Sequence, residues 1–448
     1  MIDAPLNSRR KTAYRFLFGM VLVLSLLLTA CGGVSPAHAT ETAVAAFTPT
    51  PSPSPTPAGV TPDQDLAALI AAAADGDVIT LAGGVFSLKQ GVVIDKNLIL
   101  VGAGSEQTVI TADAPSADYM AMIAFTGSGT LTLQGISLEY IGSEPSAVLY
   151  VISGALGLED CVVTGATVSS KGAQLGAVQL TDSAIGLIRD SRIVGSVDRI
   201  NPDAPDKIPG GIIVSGSAQL TLENSSILGS YLGVYAFGDA VVTVSGSTIT
   251  NTYGGFSLLE NATGTLTTST LEGSQGAQVA LFDSSKFTAA ENTFNNREDS
   301  NGIQVNETAY AHLEKNKINN GLSGIIFSDN STGEAVANEI MGVSNIGILV
   351  SKDAVPVLDS NVLESCYIGI SYQDNAAGSA VNNNILFSDI GISIKSPASP
   401  SLVGNTVQGY TTALFVNPAE WLDQLDVRDN SLTDGEPEII VEVKTAEP

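Results

Sequence analysis

From about residue 130 onward, short apolar runs and polar turns alternate along the chain with a period close to 22 residues. One apolar residue closes each turn, at Leu138, Val163, Ile193, Ile227, Ile249, Leu271, Phe294, Ile318, Ile340, Leu363, Ile385, Val407 and Leu432. Two positions before these anchors stand Cys161, Ser191, Ser225, Ser247 and Ser269, and then Asn292, Asn316, Asn338, Asn361, Asn383, Asn405 and Asn430. A serine column that gives way to asparagine predicts stacked turns, with side chains hydrogen-bonded from one coil to the next. A second column, with Ala147, Ala177, Gly211, Gly233, Gly255, Gln278, Gly302, Gly324, Gly347, Gly369 and Gly391, starts strands, each 16 residues before the next anchor. The segment from anchor to next strand start varies in length. A constant rung with one variable segment predicts an all-β parallel solenoid of about 13 or more coils of 22–25 residues, not a sandwich. At about 4.8 Å per coil those thirteen anchors span on the order of 60 Å.

Upstream, Asp65 to Ala74 reads as a short helix ended by Asp75-Gly76, followed by the strand-like runs 77–81, 84–88, 92–94 and 97–101. This succession, with the repeat behind it, resembles the capped start of right-handed parallel β-helix proteins of the pectin-lyase-like superfamily. The resemblance covers residues 63 to about 441 and implies a single-stranded right-handed parallel β-helix over 63–443, with a tail at 444–448. The short N-terminal capping helix then covers strand edges that would otherwise be open. The run 438–443 is expected to close the other end, and Trp421 and Tyr410 either cover that end or stack on a sugar ring.

The first sixty residues follow another pattern. Arg9, Arg10, Lys11 and Arg15 precede an apolar run from Phe16 to Thr29 and then Leu28-Thr29-Ala30-Cys31-Gly32. A basic start, a short apolar stretch and small residues before a cut form a secretory signal, too short for a comfortable membrane span. Leu-Thr-Ala-Cys resembles the lipobox of bacterial lipoproteins, which implies a signal peptide at 1–30 and lipidation of Cys31. Residues 31–62 are rich in Pro, Ser and Thr, with alternate prolines from Pro49 to Pro57, the composition of an extended tether. The expected location is the bacterial cell envelope, outside the cytoplasm, with the lipid as the membrane contact.

Charge narrows the partners. Nineteen Lys and Arg face 46 Asp and Glu, a net charge of -27 that processing would sharpen. Nucleic acid is excluded as a partner, because no basic patch is available to displace phosphate counterions. The imbalance also opposes unaided capture of polyanions, which leaves neutral glycans, envelope proteins or cation-bridged acids, bound by a chain expected to be monomeric.

Candidate chemistry falls in two places. The longest variable segments, 164–176 and 194–210, lie on neighbouring coils, and solenoid insertions tend to form a binding lobe. That lobe holds Asp198, Arg199, Asp203, Asp206 and Lys207, with Glu159, Arg189 and Glu223 at one rung position of three consecutive coils and Arg192 close by. It reads either as a binding or catalytic cleft (Arg189, Arg192, Asp198 and Arg199 as the catalytic set) or as a cross-strand charge ladder. The other place is a carboxylate column five residues after strand starts, Glu260, Asp283, Glu307 and Asp329, which either takes calcium or is a row of solvated turn residues. The motifs of the superfamily's hydrolases and epimerases are absent, and with only His38 and His312 a histidine acid/base has little to use. Scarce Met and His also argue against the copper-processing β-helix accessory proteins of the nitrous-oxide reductase system. The expectation is therefore a non-catalytic, cofactor-free scaffold that binds glycan or partner, the alternative being a calcium-dependent polysaccharide lyase or hydrolase.

Overall fold

The computed structural model describes residues 59–168, 175–195 and 209–432, and the backbone of the strand Ile439–Val441. Cys31 and residues 1–58 lie outside the described residues. Three parallel sheets of fifteen strands each wind through the rest, every third strand in sequence belonging to the same sheet. The first sheet runs from Asp77–Thr80 to Asp426–Arg428, the second from Gly84–Leu88 to Ser431–Leu432, and the third from Val92–Ile94 to Ile439–Val441. The expected solenoid is therefore present with about two coils more than the anchors counted, because the repeat begins before it becomes legible.

The anchors are the spine of the second sheet. Val163 pairs with Leu138 and Ile193, Ile227 with Ile249, and Leu363 with Ile340 and Ile385, all fully buried. Each such side chain withdrawn from water contributes roughly 1.5–3 kcal/mol, and the parallel register repeats the gain coil after coil. At Ala147 the sequence column is one residue out. Leu149 pairs with Val178, because the turn 152–154 is one residue shorter than its successor 181–184.

The polar column forms the expected ladder. Asn361 Nδ2 donates to Ala335 O at 2.7 Å and to Asn383 Oδ1 at 2.9 Å, while its own Oδ1 accepts from Asn338 N and Nδ2. Serine carries less: Ser225 Oγ accepts from Ser191 N at 3.1 Å and donates back to Glu223 O at 2.7 Å. The glycines of the second column sit where the third sheet turns inward. A Cβ at Gly324 would lie 2.6 Å from Gly347 O and 2.8 Å from a methyl of Ile340.

Both ends are covered. Asp65 caps the helix Leu66–Ala72, its Oδ1 accepting from Ala68 N, and Leu66 and Ile70 drop into the core. At the far end a 3-10 helix, Ala419–Gln424, packs Trp421 against the core, with Nε1 donating to Ala398 O at 2.6 Å. Trp421 thus covers an end, and Ile439–Val441 continues the third sheet by pairing with Leu414–Val416.

Candidate functional site

The rung position shared by Glu159, Arg189 and Glu223 lies on the outer face of the first sheet, the three in register. Arg189 turns to one neighbour, Nε lying 2.6 Å from Glu223 Oε2, while Glu159 makes no ion pair among the described residues. The pair is about two-fifths exposed on the arginine side and a third on the glutamate side, so it is a surface pair worth at most about 1 kcal/mol. Arg192 is exposed on the second sheet, flanked in register by Val162 and Ser226. Asp198, Arg199, Asp203, Asp206 and Lys207 lie outside the described residues, as do 169–174; among the described residues of the lobe, Arg189 and Glu223 are brought together.

The carboxylate column is a conformational one. Asp182, Glu260, Asp283, Glu307, Asp329, Lys352 and Asp374 all have positive φ, between 52° and 61°, and Gly216 and Gly238 hold the same turn position where the column breaks. This left-handed position favours residues with short polar side chains or none. Each carboxylate bonds back one coil. Gly238 N donates to Glu260 Oε2 at 2.9 Å, Glu260 N to Asp283 Oδ2 at 2.8 Å, Asp283 N to Glu307 Oε2 at 2.6 Å, and Glu307 N to Asp329 Oδ2 at 3.3 Å. Lys352 Nζ closes the row on Asp329. The four candidates are thus brought together, but one oxygen of each is committed to a main-chain N–H. Among the described residues no group of three or more His, Cys, Asp or Glu is placed to hold a metal ion, and calcium finds no support.

These turns border a surface that the sequence reading did not single out. The long variable segments enter the third sheet at one edge, and the carboxylate column leaves it at the other. Between them one outward column runs through Tyr150, Gln179, Ile213, Tyr235, Ser257, Ala280, Gln304, Ile326 and Leu349. Tyr235 packs against Phe237 with ring centroids 5.2 Å apart. Burial and the charges of Glu260 and Asp283 push its phenol up to about 12, so the hydroxyl stays protonated beside the carboxylate rim. The signal was in the sequence, two residues after the glycine column, but polar, aromatic and aliphatic residues alternate there and form no motif.

The soft atoms lie apart. Cys161 and Cys366 are free and buried, and desolvation raises both thiols to about 11. His312 is on the outer face of the first sheet, with Nδ1 3.0 Å from Glu334 Oε2, while Met341 is exposed on the second.

Two family models match. One, described as a right handed beta helix region, covers residues 210–340. The solenoid is a right-handed parallel β-helix. The other, described as periplasmic copper-binding protein (NosD), covers residues 299–443, although scarce Met and His argue in the sequence against that group. The copper does not fit the residues present. Within the matched segment His312, Met341 and Cys366 occupy separate places, and Cys366 is a buried, protonated thiol. The likeness lies in the repeat. No curated protein sequence matches the chain.

Solved structures resemble the chain at low identity. Tailspike protein 3 of bacteriophage CBA120 is 12% identical with a TM-score of 0.50, covering 84% of this chain and 60% of its own. The A-module of a mannuronan C-5 epimerase from Azotobacter vinelandii is 14% identical with a TM-score of 0.46, covering 83% and 95%. The catalytic unit of an α-1,3-glucanase from Streptomyces thermodiastaticus is 12% identical with a TM-score of 0.41, covering 88% and 72%. At such identities the likeness is one of fold alone.

Proposed function

We propose that the chain is an extracytoplasmic scaffold, anchored through a lipid on Cys31, that binds a glycan without cleaving it. One observation carries the reading: the variable segments and the carboxylate column border the same outer face of the third sheet, so the most variable and the most charged parts of the coil flank one long surface. Amides and aromatic rings on that surface, such as Gln304 and Tyr150, suit sugar hydroxyls and ring faces. Arg189 is engaged with Glu223, and the four carboxylates of the column with main-chain N–H groups. The match to a model named for a periplasmic protein supports the location.

The test is a panel of neutral and acidic glycans presented to the full chain, read for both binding and cleavage. Retention of a glycan without new reducing ends, weakened by Gln304→Ala, is the expected result. Release of unsaturated products from a polyuronate with calcium present would instead make the protein a lyase.

A further inference from the structure

A different corner of the coil holds a small built site. The segment after most second-sheet strands passes through a left-handed residue, and on three successive coils these are Asn320, Gly342 and Ser365, with φ of 60°, 66° and 55°. The middle one has no side chain. Its absence opens a depression of about 450 Å³ between its neighbours, two strand spacings or about 9.6 Å apart. The exposed side chain of Met341 lines it, in register between Asn319 and Glu364.

The polar side chains around this depression fall into two sets. Asn319 and Asn295 are joined to each other, Asn319 Nδ2 donating to Asn295 Oδ1 at 2.9 Å. The side chains of Asn320, Glu364 and Ser365 make no hydrogen bond to any described residue. This contrasts with the other polar columns, the asparagine ladder and the turn carboxylates, whose side chains are bonded coil to coil. A carboxamide, a carboxylate and a hydroxyl offer both donors and acceptors beside an apolar thioether, the complement of a pyranose ring with its hydroxyl edge and C–H face. A formal charge of -27 and the free carboxylate of Glu364 oppose an acidic sugar at this place.

The geometry points to a subsite for one pyranose unit of a neutral glycan, held by Asn320, Glu364 and Ser365 beside Met341. It rests on the reading of the chain as a glycan binder and adds a second place of contact, outside the third-sheet face. Gly342→Asn tests it directly. Asparagine occupies the same turn position at Asn251 and Asn320 with positive φ, and a Cβ at Gly342 would meet only Asn320 Oδ1, at 3.2 Å. The substitution therefore places a side chain in the depression at a left-handed φ that asparagine tolerates better than most residues, and an unfolding midpoint near that of wild type would verify that the fold is kept. Glu364→Gln keeps the shape and removes the charged acceptor.

Calorimetric titration of the full chain in detergent, with cellohexaose, maltohexaose, xylohexaose and polygalacturonate, gives the readout. We expect a neutral hexaose to bind, with affinity about tenfold weaker in either variant, the scale of one hydrogen bond to a charged group, and unchanged in Thr288→Ala on the outer face of the first sheet. A neutral hexaose bound equally well by wild type, Gly342→Asn and Glu364→Gln would remove the subsite and leave the glycan-binding reading standing. Binding of polygalacturonate alone would overturn the assignment to a neutral sugar. If none of the four bound, both the subsite and the wider reading would fall.

Discussion

At the scale of single residues the structure separates side chains by whether their polar atoms have partners. The Asn361 side chain makes four ladder hydrogen bonds, and removing its amide takes the side-chain partner from Asn338 N and Ala335 O and one of two partners from Asn338 Nδ2 and Asn383 Oδ1 inside the core. A buried donor or acceptor left unpaired costs its full desolvation, so Asn361→Ala should destabilise by about 2–4 kcal/mol. Asn361→Ser should lose roughly half of that, since serine keeps one accepting oxygen in the ladder of earlier coils. Tyr372 is the opposite case. Its ring is fully buried and its hydroxyl has no partner among the described residues, and burial raises the phenol far above its ordinary range. Tyr372→Phe removes a desolvated group and leaves the packing, so it should be neutral or stabilising by about 1 kcal/mol. Urea midpoints of the three variants rank these effects, and a marked loss of stability in Tyr372→Phe would mean that the hydroxyl has a partner after all.

At the scale of the element, the turn after the third sheet trades conformational need against charge. Stacking the left-handed turn residue coil on coil leaves its N–H pointing along the axis, and a carboxylate one coil on accepts it. The arrangement is most crowded at Glu307, whose carboxyl is held above the ordinary glutamate value of 4.5 by burial and by the charges of Asp283 and Asp329. A carboxyl that binds its proton more readily when folded favours the native state below its unfolded pKa, and that contribution is lost as pH rises through the folded pKa. Glu307→Gln keeps an oxygen for Asp283 N and removes the charge. Its unfolding midpoint should exceed that of wild type at pH 7, and the gap should close as pH falls below 4.5. A gap that stays constant from pH 7 to pH 4 would mean that charge crowding is not the cause. This turn also marks the limit of sequence reading. The spacing of Glu260, Asp283, Glu307 and Asp329 was plain in the chain, but a metal row and a left-handed turn row have the same period. Only the N–H bonds distinguish them. The depression at Gly342 was less legible still, because a missing side chain among alternating Asn, Gly and Ser leaves no signature in one dimension.

For the molecule as a whole, the parts that were legible are those that repeat. The anchors and the asparagines act identically on every coil, so their period predicted the second sheet and its register residue for residue, while the single short turn at 152–154 shifted one column unnoticed. The same repetition makes stability a sum of coil-to-coil contacts, since each strand pairs only with the strands one coil before and one coil after. A whole coil should therefore be removable. Deleting residues 226–247 joins Ser225 to Thr248, places the Ser225 and Ser269 hydroxyls on consecutive rungs, and preserves the inward set of every strand that follows. Deleting residues 226–246 instead, one residue fewer, turns the next strand's side chains to the opposite face, because the side-chain period in a strand is two. The in-register deletion should keep a β-sheet circular dichroism spectrum and a cooperative unfolding transition close to that of wild type. The out-of-register deletion should lose cooperativity. Equal behaviour of the two would show that neighbouring coils are not held by this register, and the ladder argument would fail with it.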